Sequence, residues 1–268
     1  MIKVASAWGA VGGSTIALNN LVTLFNSKGY DACLFTPGHK QGDDSKWKGI
    51  TCRWRHLNNL NFDPDDIVIY HFLKMTSRPP VKKLILSCHE TNLFPLKDMP
   101  DLCYDNIQFV SKFQKEWHDV DGWIIPNVIT KYEKGETRKF DKVAGIIGSI
   151  DPHKCVHESI QRALVAKDVS KVVIYGSVSD PAYFNREVVP LLSEDVIYCG
   201  ISINMQQVYD QLDVVYSSSK RECLPMIQGE CLKMGIEYRG YDFNTRGPED
   251  YECDDDIIME KWKRCLEL

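Results

Sequence analysis

The sequence predicts an α/β protein made of two Rossmann-like domains, each built on a mostly parallel sheet. Three observations carry this. Residues 2–36 read strand, glycine-rich turn, helix, strand. After a charged stretch, Val143-Ala144-Gly145-Ile146-Ile147-Gly148 opens a second series of apolar runs. Residues 213–235 then repeat the strand–turn–helix order. Strands that alternate with helical patterns need crossover connections, and hence pair in parallel. A chain of 268 residues suffices for two modest domains with separate cores.

Composition narrows the class. Hydrophobic content of 44% and charge of 26% are those of a globular, non-membrane chain. A net charge of −5 lacks the basic footprint that nucleic-acid binding requires. No apolar run has the length of a membrane span, and Met1 to Ala5 begins a strand and not a signal peptide. A cytoplasmic location follows as the expectation, with peripheral membrane contact left open. Of the ten cysteines, Cys33, Cys88, Cys199 and Cys231 sit in apolar runs, and no Cys-x2-Cys pair occurs. Reduced, buried thiols account for that better than zinc or disulfides.

The first domain is expected over residues 1–128. Residues 2–8 form a strand, and Gly9-Ala10-Val11-Gly12-Gly13-Ser14-Thr15 a glycine-rich turn. Ile16, Leu18, Leu21, Val22, Leu24 and Phe25 then give an apolar stripe at helical spacing, ended by Gly29. Asp31 to Thr36 is the second strand. Glycines without a Cβ let a phosphate or sugar approach the backbone closely. The turn lacks the G-x-G-x-x-G spacing of a nicotinamide site, and Asp31 precedes its strand instead of ending it. Further strands are Asp66–His71, Lys83–His89 and Ile107–Ser111, with a weak one near 51–54. His71 and His89 fall at carboxyl ends of strands, the edge where open α/β sheets bind ligands. His118 reads as a surface residue. Loops at 39–65 and 91–105 do not disclose what they bind.

Residues 129–142 are charged and poor in large apolar side chains, as a linker would be. The second domain is expected over 143–240. Its opening strand leads to Asp151-Pro152-His153-Lys154, read as the start of a helix that runs through Ile160 and Leu164. Lys171–Gly176, Asp195–Gly200 and Asp213–Tyr216 are strands, and Met205–Leu212 a short helix. Residues 241–268 comprise an acidic loop and a final helix in which Ile258, Trp262 and Leu266 share a face, fit to pack back on the first domain.

The stretch Ser217 to Gly235 organises the second domain. Glu222 lies in the turn after a buried strand, Pro225 suits a first helical position, and Gly235 a helix stop. Glu230 is inside the helix, roughly 7.5 Å along its axis from Pro225. Two carboxylates then face one crevice at different depths. Between them a helix N-terminus offers unpaired N–H donors to an anion. The ordinary account of two such glutamates is solvent-facing charge on a strand–loop–helix unit.

Glu222-x7-Glu230, with Pro225 three residues past the first Glu, resembles the signature of GT-B retaining glycosyltransferases of the GT4 type (glycosyl transferases group 1). Gly12-Gly13 followed by Ala17-Leu18-Asn19-Asn20-Leu21, the segment Leu86 to Glu90, and Pro126-Asn127 are similar to that family's other landmarks, in the same order. The resemblance implies a GT-B architecture, with two Rossmann-like domains facing across a cleft. It implies that Glu222 meets the donor sugar, that Glu230 holds the nucleotide ribose, and that His89 touches the sugar near its reacting carbon. Gly12 and Gly13 would face the donor phosphates and the acceptor. Leu224, Pro225 and Met226 would line the phosphate end of the helix, and Ile201, Ser202 and Ile203 would receive the base. Lys154 matches the lysine of the family's diphosphate clamp, but Ser149 stands where the family has an arginine. Losing one charge-assisted contact would sacrifice about 1.5–3 kcal/mol.

The function implied is metal-independent, retaining transfer of a glycosyl group from a UDP- or GDP-sugar to a hydroxyl of a glycan, lipid or protein-linked acceptor. No cofactor is called for, because the nucleotide sugar is a substrate. Two alternatives stand beside it. Ser149 and the short chain suit a non-catalytic sugar-nucleotide-binding or scaffold protein. Asp63-Pro64-Asp65 and Asp119-Val120-Asp121 match the Asp-x-Asp of metal-dependent GT-A transferases, though both lie in turn-like contexts.

Overall fold

In the computed structural model, residues 1–7, 12–37, 50–71, 77–89, 95–99, 102–133, 142–202, 204–242, 246–252 and 254–268 are described. The chain divides into two units, Met1–Ile129 with Glu249–Leu268, and Thr130–Pro248. The expected Gly9–Val11 turn, Glu90, Ile203 and most of the 129–142 linker lie outside the described residues.

The first unit begins with β1 (Ile2–Ser6), α1 (Gly13–Ser27), β2 (Ala32–Thr36), β3 (Trp54–His56), β4 (Ile67–His71) and β5 (Lys83–Cys88). β6 (Asn106–Phe109), α2 (Lys112–His118) and β7 (Trp123–Ile124) follow. Its sheet has the order β3-β2-β1-β4-β5-β6-β7, and every neighbouring pair is parallel. Strand alternation sorts the core. Ile2, Val4, Leu34, Ile67, Ile69 and Ile85 join Leu18, Val22 and Phe25 of α1 on one face. Ala5, Cys33, Phe35, Val68 and Leu84 pack on the other. With both faces covered, these strands read as continuous apolar runs and not as alternating ones.

The second unit holds β8 (Lys142–Ile147), α3 (Val156–Leu164), β9 (Val169–Tyr175), α4 (Pro181–Tyr183), β10 (Val196–Gly200) and α5 (Met205–Asp210). β11 (Val214–Tyr216), α6 (Met226–Met234) and β12 (Glu237–Arg239) complete it. The sheet order is β10-β9-β8-β11-β12, again wholly parallel. The last helix, α7 (Asp255–Leu266), belongs to the first unit. Trp262 meets Phe25 of α1 edge to face at 5.9 Å, and Asn106 Nδ2 donates to the Cys265 carbonyl at 2.7 Å.

Several local expectations need correction. The helix expected from Asp151 starts only at Val156, because residues 152–155 form a turn and Cys155 takes a left-handed φ of 47°. Pro225 is one position outside α6, as its N-cap with ψ 114°. His118 is buried, not on the surface. Its ring stacks on Phe109 with centroids 5.4 Å apart, and Nδ1 accepts from the Leu96 N–H at 3.3 Å. α2, β12 and the helical stretch through Pro181–Leu191 are elements the sequence reading lacked.

Candidate functional site

Parallel strands put all their carboxyl ends on one edge of each sheet. A ligand crevice opens there at the point where the strand order reverses. In the second unit that point lies between β8 and β11, and in the first between β1 and β4.

At the second unit's edge, three neighbouring strands run into glycines with positive φ. These are Gly148 (143°) after β8, Gly176 (157°) after β9, and Gly200 (77°) closing β10. A Cβ on Gly176 would lie 1.7 Å from the Gly148 carbonyl oxygen, so no other residue fits. The Gly148 N–H donates to Tyr175 O and the Gly176 N–H to Gly200 O, both at 2.9 Å. Beyond Gly148 the chain folds around one carboxylate. Asp151 accepts from the Ser149 hydroxyl at 2.6 Å, and from the His153 and Lys154 N–H groups at 2.9 Å each. This Asx-type turn sets the direction of Lys154.

Lys154 Nζ lies 2.5 Å from Glu222 Oε1, so the loops after β8 and β11 are bridged at the switch point itself. The pair is partly exposed, with 33% of the lysine side chain and 16% of the glutamate open to solvent. The Lys220 N–H, donating to His153 O at 2.9 Å, ties the same two loops through the backbone. From the other side Arg246 donates to the Glu222 carbonyl at 2.5 Å and the Cys223 carbonyl at 3.1 Å. Arg246 and Gln228 also exchange bonds at 2.6 and 3.0 Å. Glu222 is thus held on a braced loop.

Glu230 lies inside α6 as expected and is buried, on the inward stripe with Met226 and Met234 one turn to either side. The Tyr209 hydroxyl donates to its Oε2. Burial pushes the carboxyl up to about 7, against the opposing effects of the Tyr209 bond and the Lys233 charge. Leu224, Pro225 and Met226 are buried under the start of α6, which has no side-chain cap. Ile201 is 71% exposed, whereas Ser202 is engaged with Asn204 at 3.2 Å, in the turn that caps α5.

In the first unit, Gly12 is the N-cap of α1 in extended conformation, exposed together with Gly13 and with no side-chain cap. At the switch point the Ser6 hydroxyl and His71 Nδ1 are 3.1 Å apart. The His71 and His89 rings meet edge to face at 4.9 Å. Ser87 Oγ lies 3.1 Å from His89 Nε2 and donates to Gln108 Oε1 at 2.6 Å, while Gln108 Nε2 donates to Ile125 O at 2.6 Å. A small hollow beside them is lined by Leu18, Ser87, His89, Gln108, Asn127 and Trp262. Burial, then the neighbouring His71, hold His89 well below the usual imidazole range, so it is neutral at pH 7.

The two Asp-x-Asp triplets sit at the wrong edge. Asp63–Asp65 precedes β4, with Asp63 accepting from the Asp65 N–H at 3.0 Å, and Asp119–Asp121 precedes β7. Both therefore lie towards the amino ends of their strands. Sequence reasoning missed Ser6, Ser87, Gln108, Asp151, Tyr209 and Arg246. A glutamine inside the apolar run Ile107–Val110 was a visible signal for Gln108, and Asp151 three residues before Lys154 one for the turn. Arg246 acts across 24 residues of sequence and Tyr209 across 21, with no local pattern to betray them.

No family model matches this chain, and no curated protein sequence does. Solved structures match along its length. A variant of S. aureus TarM, in complex with fondaparinux, α-GlcNAc-glycerol and UDP, aligns with a TM-score of 0.72 at 11% identity, over 100% of this chain and 93% of that one. Anabaena HepE, in complex with UDP and glucose, aligns at 0.63 with 11% identity over 91% and 81%. WaaG, a glycosyltransferase involved in lipopolysaccharide biosynthesis, aligns at 0.65 with 10% identity over 100% and 91%. At such identities the likeness is one of fold. The chain has the GT-B architecture of these glycosyltransferases, with two parallel-sheet α/β units.

Proposed function

We propose that this protein is a retaining, metal-independent glycosyltransferase of the GT4 type, using a UDP- or GDP-sugar and a hydroxyl acceptor. The observation that carries the reading is the Lys154–Glu222 pair at the switch point of the second sheet. In this account the pair is the resting arrangement of two ligand-binding groups. An arriving diphosphate, with more charge than one carboxylate, draws Lys154 away from Glu222 Oε1, which then faces the sugar hydroxyls. Lys154 and the uncapped start of α6 at Leu224, Pro225 and Met226 then stabilise the leaving diphosphate as its charge develops. Among the described residues Glu230 bonds only Tyr209, through Oε2, which leaves Oε1 to accept from the ribose. Ile201 and Ser202 border the base; the first unit's own candidates are Gly12 and Gly13 for phosphate and His89 for sugar.

One observation favours a second reading, a sugar-nucleotide-binding protein without turnover. Ser149 bonds Asp151 where the family resemblance places an arginine, so this turn holds a neutral hydroxyl where a cation was expected. The two readings separate in one experiment, release of nucleoside diphosphate from a panel of UDP-, GDP- and ADP-sugars, with and without EDTA. Chelator-resistant release with one donor, abolished in Lys154→Ala and Glu230→Ala, supports the transferase. Donor-induced thermal stabilisation without release supports the binding protein, and the absence of both refutes the site.

A further inference from the structure

Gln108 and Ser87 form a one-way hydrogen-bond chain into His89. The Ile125 carbonyl can only accept, so the Gln108 amide nitrogen faces it, at 2.6 Å. The amide oxygen therefore faces Ser87, and an amide oxygen can only accept as well. The single Ser87 hydroxyl proton goes there, at 2.6 Å. Ser87 Oγ has no second proton to give, so towards the imidazole 3.1 Å away it acts as acceptor. His89 must then carry its proton on Nε2. Nδ1 is left with a lone pair, and among the described residues nothing bonds it. Ser87 is 1% exposed and Gln108 2%, so water has little access to break the chain. Burial, and after it the His71 ring packed against His89, oppose a positive charge there.

We infer that Ser87 and Gln108 are positioning residues that lock His89 in the neutral Nε2–H tautomer, so that Nδ1 accepts a hydrogen bond from a sugar hydroxyl. The ligand is a hydroxyl donor at this point. A phosphate, which has only acceptors to offer an imidazole without a proton on Nδ1, is refused. Asn127 and Leu18 share the hollow with His89 and add no charge to it. Only the ligand's identity rests on the glycosyltransferase reading; the tautomer is a property of this chain alone.

The test is nitrogen NMR on the whole protein labelled with 15N-histidine at neutral pH, with the His89 signals among the seven histidines assigned from His89→Gln. The expected wild-type spectrum has a protonated Nε2 and an unprotonated Nδ1. Gln108→Leu frees the Ser87 proton to donate to Nε2 and moves His89 to the Nδ1–H tautomer or a mixture. Ser87→Ala, a smaller change should the leucine variant fail to fold, also releases the lock. Gln108→Glu, held protonated by burial so that its hydroxyl donates to the Ile125 carbonyl and its carbonyl oxygen accepts from Ser87, keeps it. Adding UDP-, GDP- or ADP-glucose to the wild type shifts the Nδ1 signal, whereas the free nucleoside diphosphates do not. Turnover of the preferred donor falls about tenfold in Gln108→Leu, the worth of one neutral hydrogen bond, and is rescued in Gln108→Glu. An Nδ1–H or imidazolium His89 in the wild type overturns the inference. So does an unchanged tautomer in both releasing variants, or an Nδ1 signal indifferent to a donor that is turned over. No turnover of any donor, with the tautomer in place, refutes the transferase reading and leaves the positioning chain supported.

Discussion

Replacing Glu230 by Gln removes a buried carboxylate whose ionisation the fold opposes, and its cost can be worked out. Burial moves this carboxyl from an ordinary 4.5 to about 7. Protons are therefore bound more tightly in the folded state than in the unfolded one. Stability from this group is complete below pH 4.5, declines as pH rises, and is gone above pH 7. At about 1.4 kcal/mol per unit, the decline amounts to about 3 kcal/mol. Gln keeps an oxygen for the Tyr209 hydroxyl and has no proton to lose. The variant should match wild type at pH 4.5 and exceed it by about 1–3 kcal/mol at pH 8, a gain of about 1 M in urea midpoint. All six tryptophans (8, 47, 54, 117, 123 and 262) lie within the first unit's span. Tryptophan emission therefore follows that unit, and circular dichroism change without an emission change follows the second. Parallel stability curves for the two proteins from pH 4.5 to 8 would refute the buried-carboxylate argument. In the proposed site the same variant loses donor affinity, because an amide cannot match a carboxylate as acceptor for ribose. Glu230 would then be a residue that costs stability and is retained for binding.

Three further outcomes follow from the geometry. Gly176→Ala sets a methyl group against the Gly148 carbonyl at a φ of 157°, and should destabilise the second unit by at least about 2 kcal/mol in urea unfolding, while tryptophan emission is unchanged. Trp262→Ala empties a site at 3% exposure between α7 and Phe25; a loss of about 3–5 kcal/mol in the first unit, with rapid amide exchange along α7, is the expected result. Arg246→Ala removes the donors to the Glu222 and Cys223 carbonyls. It should weaken donor binding tenfold or so in calorimetry, by about 1.5 kcal/mol, with the loop's amides exchanging faster than in wild type.

The fold was legible because parallel sheets write themselves as short apolar runs. β1, β2, β4, β5 and β11 are runs of three to six residues buried throughout, β8 to β10 are runs of five to seven buried in part, and helices with clear stripes lie between several of them. β12 is three residues of Glu-Tyr-Arg at a sheet edge, where among the described residues one flank has no partner strand and charge is tolerated, so its sequence carries no such run. α2 was invisible for a different reason. Its seven residues are mostly polar, and what fixes it is the Ser111 hydroxyl accepting from the Gln114 N–H, together with His118 seated on Phe109.

The candidate residues could be read one by one in the sequence, but their partnerships could not. Lys154 and Glu222 stand 68 residues apart in sequence, and their pairing is decided by strand order: β11 returns to lie beside β8, the strand that opens the unit. Nothing local to either residue encodes that return. Burial of Glu230 has the same origin, since α6 turns its Met226–Glu230–Met234 stripe inward only because the sheet is there to receive it. A carboxylate on that stripe looks, in sequence, like any polar residue of a helix. Its raised affinity for a proton is a consequence of topology, and it is the feature by which a titration, with no substrate in hand, can detect that α6 is seated on its sheet.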